Sequence, residues 1–135
     1  MDFAERLAAL ADKVANQRDS ILTEEATKNA FIMPFISTIL GYDVFNPLEV
    51  VPEFTADVGV KKGEKIDYAI MRANEVQMLI ECKKSSEPLS LEHASQLYRY
   101  FSVTNARIAV LTNGGRHISF TPTLISQTKW TINHS

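Results

Sequence analysis

An acidic residue and a lysine stand at the end of an apolar stretch where either would be costly to bury. Residues 76–83 read Val-Gln-Met-Leu-Ile-Glu-Cys-Lys, a pattern that predicts a β-strand. Because side chains alternate between the faces of a strand, Glu81 and Lys83 share one face, about 6–7 Å apart along the strand. Alone, this pair is most simply interpreted as a weak surface ion pair where the strand meets solvent.

A second acidic residue in the preceding apolar stretch changes that interpretation. Residues 65–71, Lys-Ile-Asp-Tyr-Ala-Ile-Met, predict another strand in which Asp67 is the lone acid. If residues 72–75 form a hairpin turn, Asp67 lies on the same sheet face as Glu81. Two carboxylates and a lysine there would suit a hard divalent cation such as Mg²⁺, with waters completing its octahedron. The metal would stabilise charge on a phosphoryl oxygen, and Lys83 would hold or deprotonate the attacking water.

The elements that must position these residues follow from the spacing of apolar residues. Apolar residues three and four apart predict helices over residues 2–17, 24–40 and 91–103. Alternating patterns predict strands over residues 42–45, 50–55, 65–71, 76–83, 107–112 and 117–120. A helix between two of these strands, 76–83 and 107–112, implies that they run parallel, joined by a right-handed crossover. The sequence therefore predicts an α/β domain with a central mixed β-sheet flanked by helices, whose core order, counted without the short segment 42–45, is α-α-β-β-β-α-β-β.

Length and charge exclude several classes of protein. A chain of 135 residues with 45% hydrophobic residues is large enough for one core without disulfides or a structural metal, and it has a single cysteine. Its net charge of −2 argues against a strongly basic nucleic-acid binder. That charge is uneven, because residues 1–25 hold six acids and three bases while the remainder holds ten acids and eleven bases. The core could therefore still approach DNA.

We predict a cytoplasmic protein, because no apolar run is long enough for a membrane span and the acidic start is unlike a signal peptide. The predicted organisation is an amino-terminal helix at residues 1–19, a core at 20–120, and a carboxy-terminal extension or the start of a missing region at 121–135.

Further motifs occur in order along the chain. Asp67 is followed, after thirteen residues, by Glu81-Cys82-Lys83, and the third helix carries Gln96 and Tyr100 at an i, i+4 spacing. Flanking segments include Glu24-Glu25-Ala26-Thr27-Lys28, Leu40-Gly41-Tyr42, Val51-Pro52-Glu53-Phe54 and Leu111-Thr112-Asn113-Gly114. Together these motifs resemble the PD-(D/E)xK nuclease superfamily, and in particular the amino-terminal nuclease domain of type I restriction enzyme restriction (R) subunits, over about residues 20–120.

The resemblance implies a restriction-endonuclease-like core and a role for each motif residue. Asp67 and Glu81 would bind the metal together with the backbone carbonyl of Cys82, and Lys83 would position or activate water. Glu25, on the second helix, would assist through a water or a second ion. Mg²⁺ would be the cofactor, and Mn²⁺ would substitute for it.

The same resemblance implies the partners. Gln96, Tyr100 and Lys84 would contact DNA, and a homodimer or other subunits would supply specificity. No Gly-x-x-x-x-Gly-Lys-Ser/Thr loop occurs in the chain, so no ATP site of that kind is expected.

The function predicted from the sequence is a Mg²⁺-dependent DNA endonuclease domain that hydrolyses phosphodiester bonds. One alternative is a catalytically inactive module of the nuclease fold that binds DNA or a protein partner. Another is a metal-free domain in which the three charged residues form a structural network.

Overall fold

The fold is described from a computed structural model, in which residues 2–55 and 64–115 and the backbone of 117–120 and 133–134 are placed. The residues placed in it form three α-helices and six strands, with bounds as follows: α1 (Phe3–Gln17), α2 (Glu24–Thr27), β1 (Val50–Phe54), β2 (Ile66–Arg72), β3 (Glu75–Cys82), α3 (Leu91–Ser102), β4 (Ile108–Thr112), β5 (His117–Phe120) and β6 (Asn133–His134). A short 3₁₀ turn, Arg18–Ser20, follows α1.

The strands form one mixed sheet in the order β1-β2-β3-β4-β5-β6. Strands β3 and β4 are parallel, and every other neighbouring pair is antiparallel. Helix α3 connects the parallel pair, as predicted from its position between the two strand patterns. The predicted fold class and core element order are confirmed, and β6 is an addition to them.

The turn between β2 and β3 has a left-handed backbone at both of its central residues. Ala73 and Asn74 both have positive φ, 53° and 65°, and Arg72 pairs with Glu75 across the turn. Two successive residues of this kind give a tight turn whose twist matches that of the flanking strands. The turn predicted at residues 72–75 is confirmed, and with it the antiparallel pairing of the two chemistry-bearing strands.

The helix beginning at Glu24 is wider than an ordinary α-helix over much of its length. After α2 it continues as two π-helical stretches, Lys28–Ile32 and Phe35–Ile39, on either side of Pro34. Proline has no backbone N–H to donate and disturbs regular α-helical bonding. The helix ends before Gly41, whose φ of +82° is the left-handed conformation expected after a helix end.

Apolar side chains pack on both faces of the sheet. The cluster that we call the α3 core joins helix α3 to β2, β3 and β4, and includes Ala69, Leu79, Ala94, Leu97, Tyr100, Phe101, Ala109 and Leu111. The opposite face is covered by the π-helical segments, and its buried residues include Phe31, Ile32, Ile36, Tyr68, Ile70, Ile80 and Cys82. Cys82 is fully buried in this second cluster.

The strand predicted at residues 42–45 is wrong. This segment belongs to a loop in which the N–H of Phe45 donates to Asp43 Oδ1 at 2.9 Å, and the N–H of Leu48 donates to Asn46 Oδ1 at 2.9 Å. Short polar side chains that bond the backbone two residues onward stabilise turns at the expense of strands. The aromatic ring of Phe45, which favoured the strand, is 86% exposed.

Parts of the sequence analysis fall outside the described residues. They include most of the extension at 121–135. Within the described ranges, no helix is both long enough and apolar enough to cross a membrane.

Candidate functional site

The β2–β3 hairpin brings the two predicted acidic residues together. Tyr68 pairs with Ile80, so the next step along both strands places Asp67 beside Glu81. The backbone N–H of Asp67 donates to Glu81 Oε1 at 3.1 Å, and the N–H of Cys82 donates to Asp67 Oδ2 at 2.7 Å. Each acid is therefore held by the backbone of the neighbouring strand.

Glu81 is buried with little to compensate for its negative charge. The residue is only 5% exposed. Burial raises the pKa of Glu81 to about 9, and the hydrogen bonding and charge of Asp67 add to the increase, while Lys83 opposes it. A buried carboxyl group beside a carboxylate is stabilised either by keeping its proton or by binding a cation.

Helix α2 is fixed against the end of β3 by a buried threonine. Thr27 Oγ1 accepts a hydrogen bond from the backbone N–H of Ser85 at 3.1 Å and donates one to the carbonyl of Thr23 at 3.0 Å. Thr23 in turn caps the helix, because its hydroxyl oxygen accepts from the N–H of Ala26 at 3.0 Å. The helix and the strand end therefore meet at a defined position.

Lys28 extends from this helix to the acid on β2. Its Nζ lies 3.3 Å from Asp67 Oδ1 and 2.5 Å from Glu25 Oε1, and its side chain is only 14% exposed. Partial burial lowers the pKa of Lys28, but the hydrogen bonds and charges of Glu25 and Asp67 outweigh this and leave the pKa above its usual value. The contact was missed in the sequence, because nothing local to residue 28 indicates a partner 39 positions away.

The two adjacent glutamates at the start of α2 have different surroundings. Glu25, which the resemblance implied as the assisting acid, is 74% exposed at its side chain and pairs with Lys28. Glu24 is half-buried, and burial and the charge of Asp67 raise its pKa, whereas Lys83 and Lys28 lower it. The charges of Asp67 and Lys83 therefore act on Glu24, whereas Glu25 is linked to Asp67 through the lysine that both acids contact, Lys28.

The lysines after β3 lie differently from one another. Lys83 is half-buried, and its backbone N–H extends the pairing with β4 by donating to the carbonyl of Thr112 at 2.8 Å. Lys84 is exposed. The side chains of Glu24, Lys28, Asp67, Glu81 and Lys83 form a set of neighbouring charges that we call the charged strand end.

The expected DNA contact of Tyr100 does not fit its position. The residue is fully buried in the α3 core, and its hydroxyl donates to the backbone carbonyl of Glu64. Arg99 pairs with the side chain of the same residue at 2.7 Å, so α3 holds the segment that leads into β2 and Asp67. Gln96 is half-buried one turn earlier on the helix.

The sequence matches one family over residues 23–132, and its description is type I restriction enzyme R protein N terminus (HSDR_N). The chain belongs to this family. Every member of the charged strand end lies in the matched range of the R-protein N-terminal domain, whereas α1 precedes it. Comparisons with curated proteins and with solved structures found no match.

The donor chemistry in this R-protein N-terminal domain fits a hard divalent cation. Within the described residues, no group of three or more His, Cys, Asp or Glu side chains is arranged to hold a metal. Asp67 and Glu81 do meet, however, and Mg²⁺ commonly binds through one or two carboxylates with water at its other positions. The unfavourable burial of Glu81 would be offset by such a cation, which makes these two residues the candidate ligands.

Proposed function

We propose that this domain is a Mg²⁺-dependent endodeoxyribonuclease of the PD-(D/E)xK superfamily. The observation that carries the proposal is the pairing of the two acids at one strand end, where the backbone N–H of Asp67 donates to Glu81 Oε1 at 3.1 Å and Lys83 follows two residues later. Membership of the R-protein N-terminal family supports a restriction-subunit-like role and DNA as the partner. The chemistry assigned to the site is therefore hydrolysis of a DNA phosphodiester.

Asp67 and Glu81 would hold the metal, with the carbonyl of Cys82 as a third oxygen ligand. When bound, Mg²⁺ supplies positive charge that neutralises a phosphate and lowers the pKa of a coordinated water. The hydrogen bonds from the backbone of Asp67 and Cys82 keep the two carboxylates in place before any substrate arrives. This preorganisation is the main contribution of the hairpin to catalysis.

Lys83 is proposed to hold the water that attacks phosphorus. A bond forms between the water oxygen and phosphorus, the ester P–O bond opposite to it breaks, and the proton lost by water balances the charge of the leaving oxygen. Lys83 can donate a hydrogen bond to that water as an ammonium and can accept its proton only as a neutral amine. The half-buried position of Glu24 supports a role for it in holding a second water, which the resemblance had suggested for Glu25.

DNA binding by this domain is proposed to be weak without the cation. The net charge of the chain is −2, and three of the five members of the charged strand end are acidic. Exposed Lys84 and half-buried Gln96 are the proposed DNA contacts that remain accessible. Cutting both strands needs two such sites, so a homodimer or additional subunits would complete the reaction and supply specificity.

The proposal is tested by nicking of supercoiled plasmid in the presence of Mg²⁺ or Mn²⁺. Asp67→Asn and Lys83→Ala should each reduce the nicking rate by at least about 100-fold, because the first removes a proposed metal ligand and the second removes the group proposed to hold the attacking water. Arg72→Met is the matched control, since it removes one positive charge at the turn, the opposite end of the same hairpin. Asp12→Asn, on exposed α1, is the corresponding control for loss of a carboxylate.

Equal nicking by the wild type, Asp67→Asn and Lys83→Ala would contradict the proposal and indicate a contaminating nuclease. If no variant cuts DNA, Mn²⁺ titration calorimetry of the wild type and Glu81→Ala decides between the alternatives. Loss of Mn²⁺ binding in Glu81→Ala would support a metal site whose activity requires another domain or subunit. Absence of Mn²⁺ binding in the wild type would favour a module that binds DNA or protein without catalysis.

A further inference from the structure

We propose that Lys28 is the resident counter-cation of Asp67, and that a divalent cation displaces its ammonium group, which then binds a phosphate of the DNA. This inference rests on the proposed function, because it assigns a positioning residue to the same site. It differs from that proposal in concerning the exchange of one cation for another, which can be measured without any cleavage.

The two carboxylate oxygens of Asp67 have different partners. Oδ2 accepts the short hydrogen bond from the backbone N–H of Cys82, so it is held by the hairpin itself. Oδ1 accepts from Lys28 Nζ, at 3.3 Å. A backbone donor within the sheet is fixed, whereas a lysine side chain has rotatable bonds through which it can leave. Oδ1 is therefore the oxygen that a metal would take, and Lys28 is the group that would have to move.

The backbone of Lys28 is held in place, whereas its side-chain ammonium can change partners. Thr27, the preceding residue, is fully buried and accepts a hydrogen bond from the N–H of Ser85. This contact keeps the backbone of residue 28 close to the end of β3. The ammonium lies between Asp67 and Glu25, whose exposed side chain can follow it outward. Glu25 thus offers Lys28 a second anion, which lowers the cost of leaving Asp67.

A DNA phosphodiester would be the new binding partner of the displaced ammonium group. An ammonium group and a divalent cation sharing one carboxylate oxygen repel each other, and this repulsion is strong in a partly buried site. A DNA phosphate brought to the metal adds negative charge beside Asp67, within reach of a lysine that is already there. After the exchange, the phosphate would lie near two cationic groups, the metal and the Lys28 ammonium, and not near the metal alone.

Calorimetric titration with Mn²⁺ in the absence of DNA tests the first half of the proposal. Lys28→Met should bind Mn²⁺ about tenfold more tightly than the wild type, because the competing cation is gone and coupling of this size is usual between linked ligands. Lys28→Gln should show a similar gain while still donating a hydrogen bond to Asp67, so it serves if the methionine variant does not fold. Arg72→Met, the loss of a positive charge at the hairpin turn, should leave the affinity unchanged.

Binding of a labelled DNA duplex, with Ca²⁺ to support binding without relying on cleavage, tests the second half. In Ca²⁺, Lys28→Met should bind the duplex about fivefold more weakly and lose about one unit of salt dependence, as expected for one phosphate contact. Without a divalent cation, Lys28 stays on Asp67, and the variant should bind the duplex as the wild type does.

The proposal is overturned if both Lys28 variants bind Mn²⁺ no more tightly than the wild type, or if none of the proteins binds it. Duplex affinity that is unchanged in Ca²⁺ would overturn the transfer to phosphate. Failure of the nuclease proposal would appear differently: plasmid would not be nicked by any protein, while the Mn²⁺ affinities of the wild type and Lys28→Met would still differ.

Discussion

The α3 core and the charged strand end both include residues of strands β2 and β3, but they are stabilised by different interactions. In the α3 core, strand and helix side chains such as Leu79 and Leu97 are fully removed from water and have no charge to compensate. At the charged strand end, a few residues away on the same strands, Glu81 is nearly as buried but ionisable. The carboxylate of its neighbour Asp67 depends on Lys28 and on the backbone N–H of Cys82.

The difference teaches where stability and chemistry reside in this domain. Burial of an apolar side chain stabilises a protein by about 1.5–3 kcal/mol, whereas a buried carboxylate costs free energy unless it is paired. The α3 core can therefore support the strands while the charged strand end keeps a costly arrangement that a cation would relieve. Substitutions in the two regions should separate these contributions.

The largest effect on stability is expected in the α3 core. Leu97→Ala removes a fully buried side chain and should lower the free energy of unfolding by about 3 kcal/mol, measured by urea denaturation. Leu91→Ala, on the same helix but 74% exposed, is the matched control and should change it by less than about 0.5 kcal/mol. The comparison fails if the two variants lose similar stability, or if folded Leu97→Ala binds Mn²⁺ more weakly than the wild type.

A smaller loss is expected where α2 joins the strand end. Thr27→Val leaves the N–H of Ser85 buried without its acceptor and should cost about 2 kcal/mol in unfolding free energy. It should also weaken Mn²⁺ binding, because the helix that carries Lys28 and Glu24 is no longer fixed. Thr38→Val, at an exposed position of the same helical segment, provides the control. An unchanged stability of Thr27→Val would mean that α2 is held in another way.

The pH dependence of stability should single out Glu81. Because the pKa of Glu81 is raised to about 9 in the folded protein, the folded state holds a proton that the unfolded state releases near its ordinary value. Its contribution to stability is complete below the unfolded pKa and is lost as the pH rises toward 9. With a chelator present, Tm of the wild type should fall relative to Glu81→Gln by about 5 °C between pH 5 and pH 9.

Adding Mg²⁺ should reverse the order of the two proteins at high pH, since the ion binds the ionised carboxylate of the wild type. A difference in Tm between wild type and Glu81→Gln that is constant over this range would show that the burial of Glu81 carries no cost.

The smallest effect is expected at the ion pair of Arg99 with Glu64. Arg99 is partly exposed, so Arg99→Ala should lower the free energy of unfolding by about 0.5 kcal/mol, and the difference should shrink in high salt. Tyr100→Phe removes the neighbouring buried hydrogen bond and should cost more, about 1 kcal/mol. The reverse ranking would mean that the charge, and not the buried hydroxyl, fixes the entry to β2.

Much of the fold and the centre of the site follow from local rules that the sequence displays. Alternation along two strands, with a turn between them, was enough to place Asp67 beside Glu81. The crossover between β3 and β4 was likewise predicted from a helix between two strand patterns. These inferences needed only the geometry of strands and hairpins, which is the same in every protein.

The remaining contacts depend on how one element packs on another. Neighbouring helix positions differ by about 100° in direction, so the phase of the helix decides between Glu24 and Glu25, and packing of the following π-helical turns helps set that phase. The burial of Tyr100 follows from the side of α3 that meets the sheet, and the spacing to Gln96 could not reveal it. Lys28 had no local signal, because its partner belongs to another element.

The hydrogen bond between Thr27 and Ser85 spans 58 positions of the chain. A contact of that separation closes a long loop, which makes it slow to form and dependent on the strands between. Because synthesis proceeds from the amino end, Lys28 emerges well before Asp67 and Ser85 exist. The proposed cation site therefore cannot be complete before the chain has been synthesised past β3.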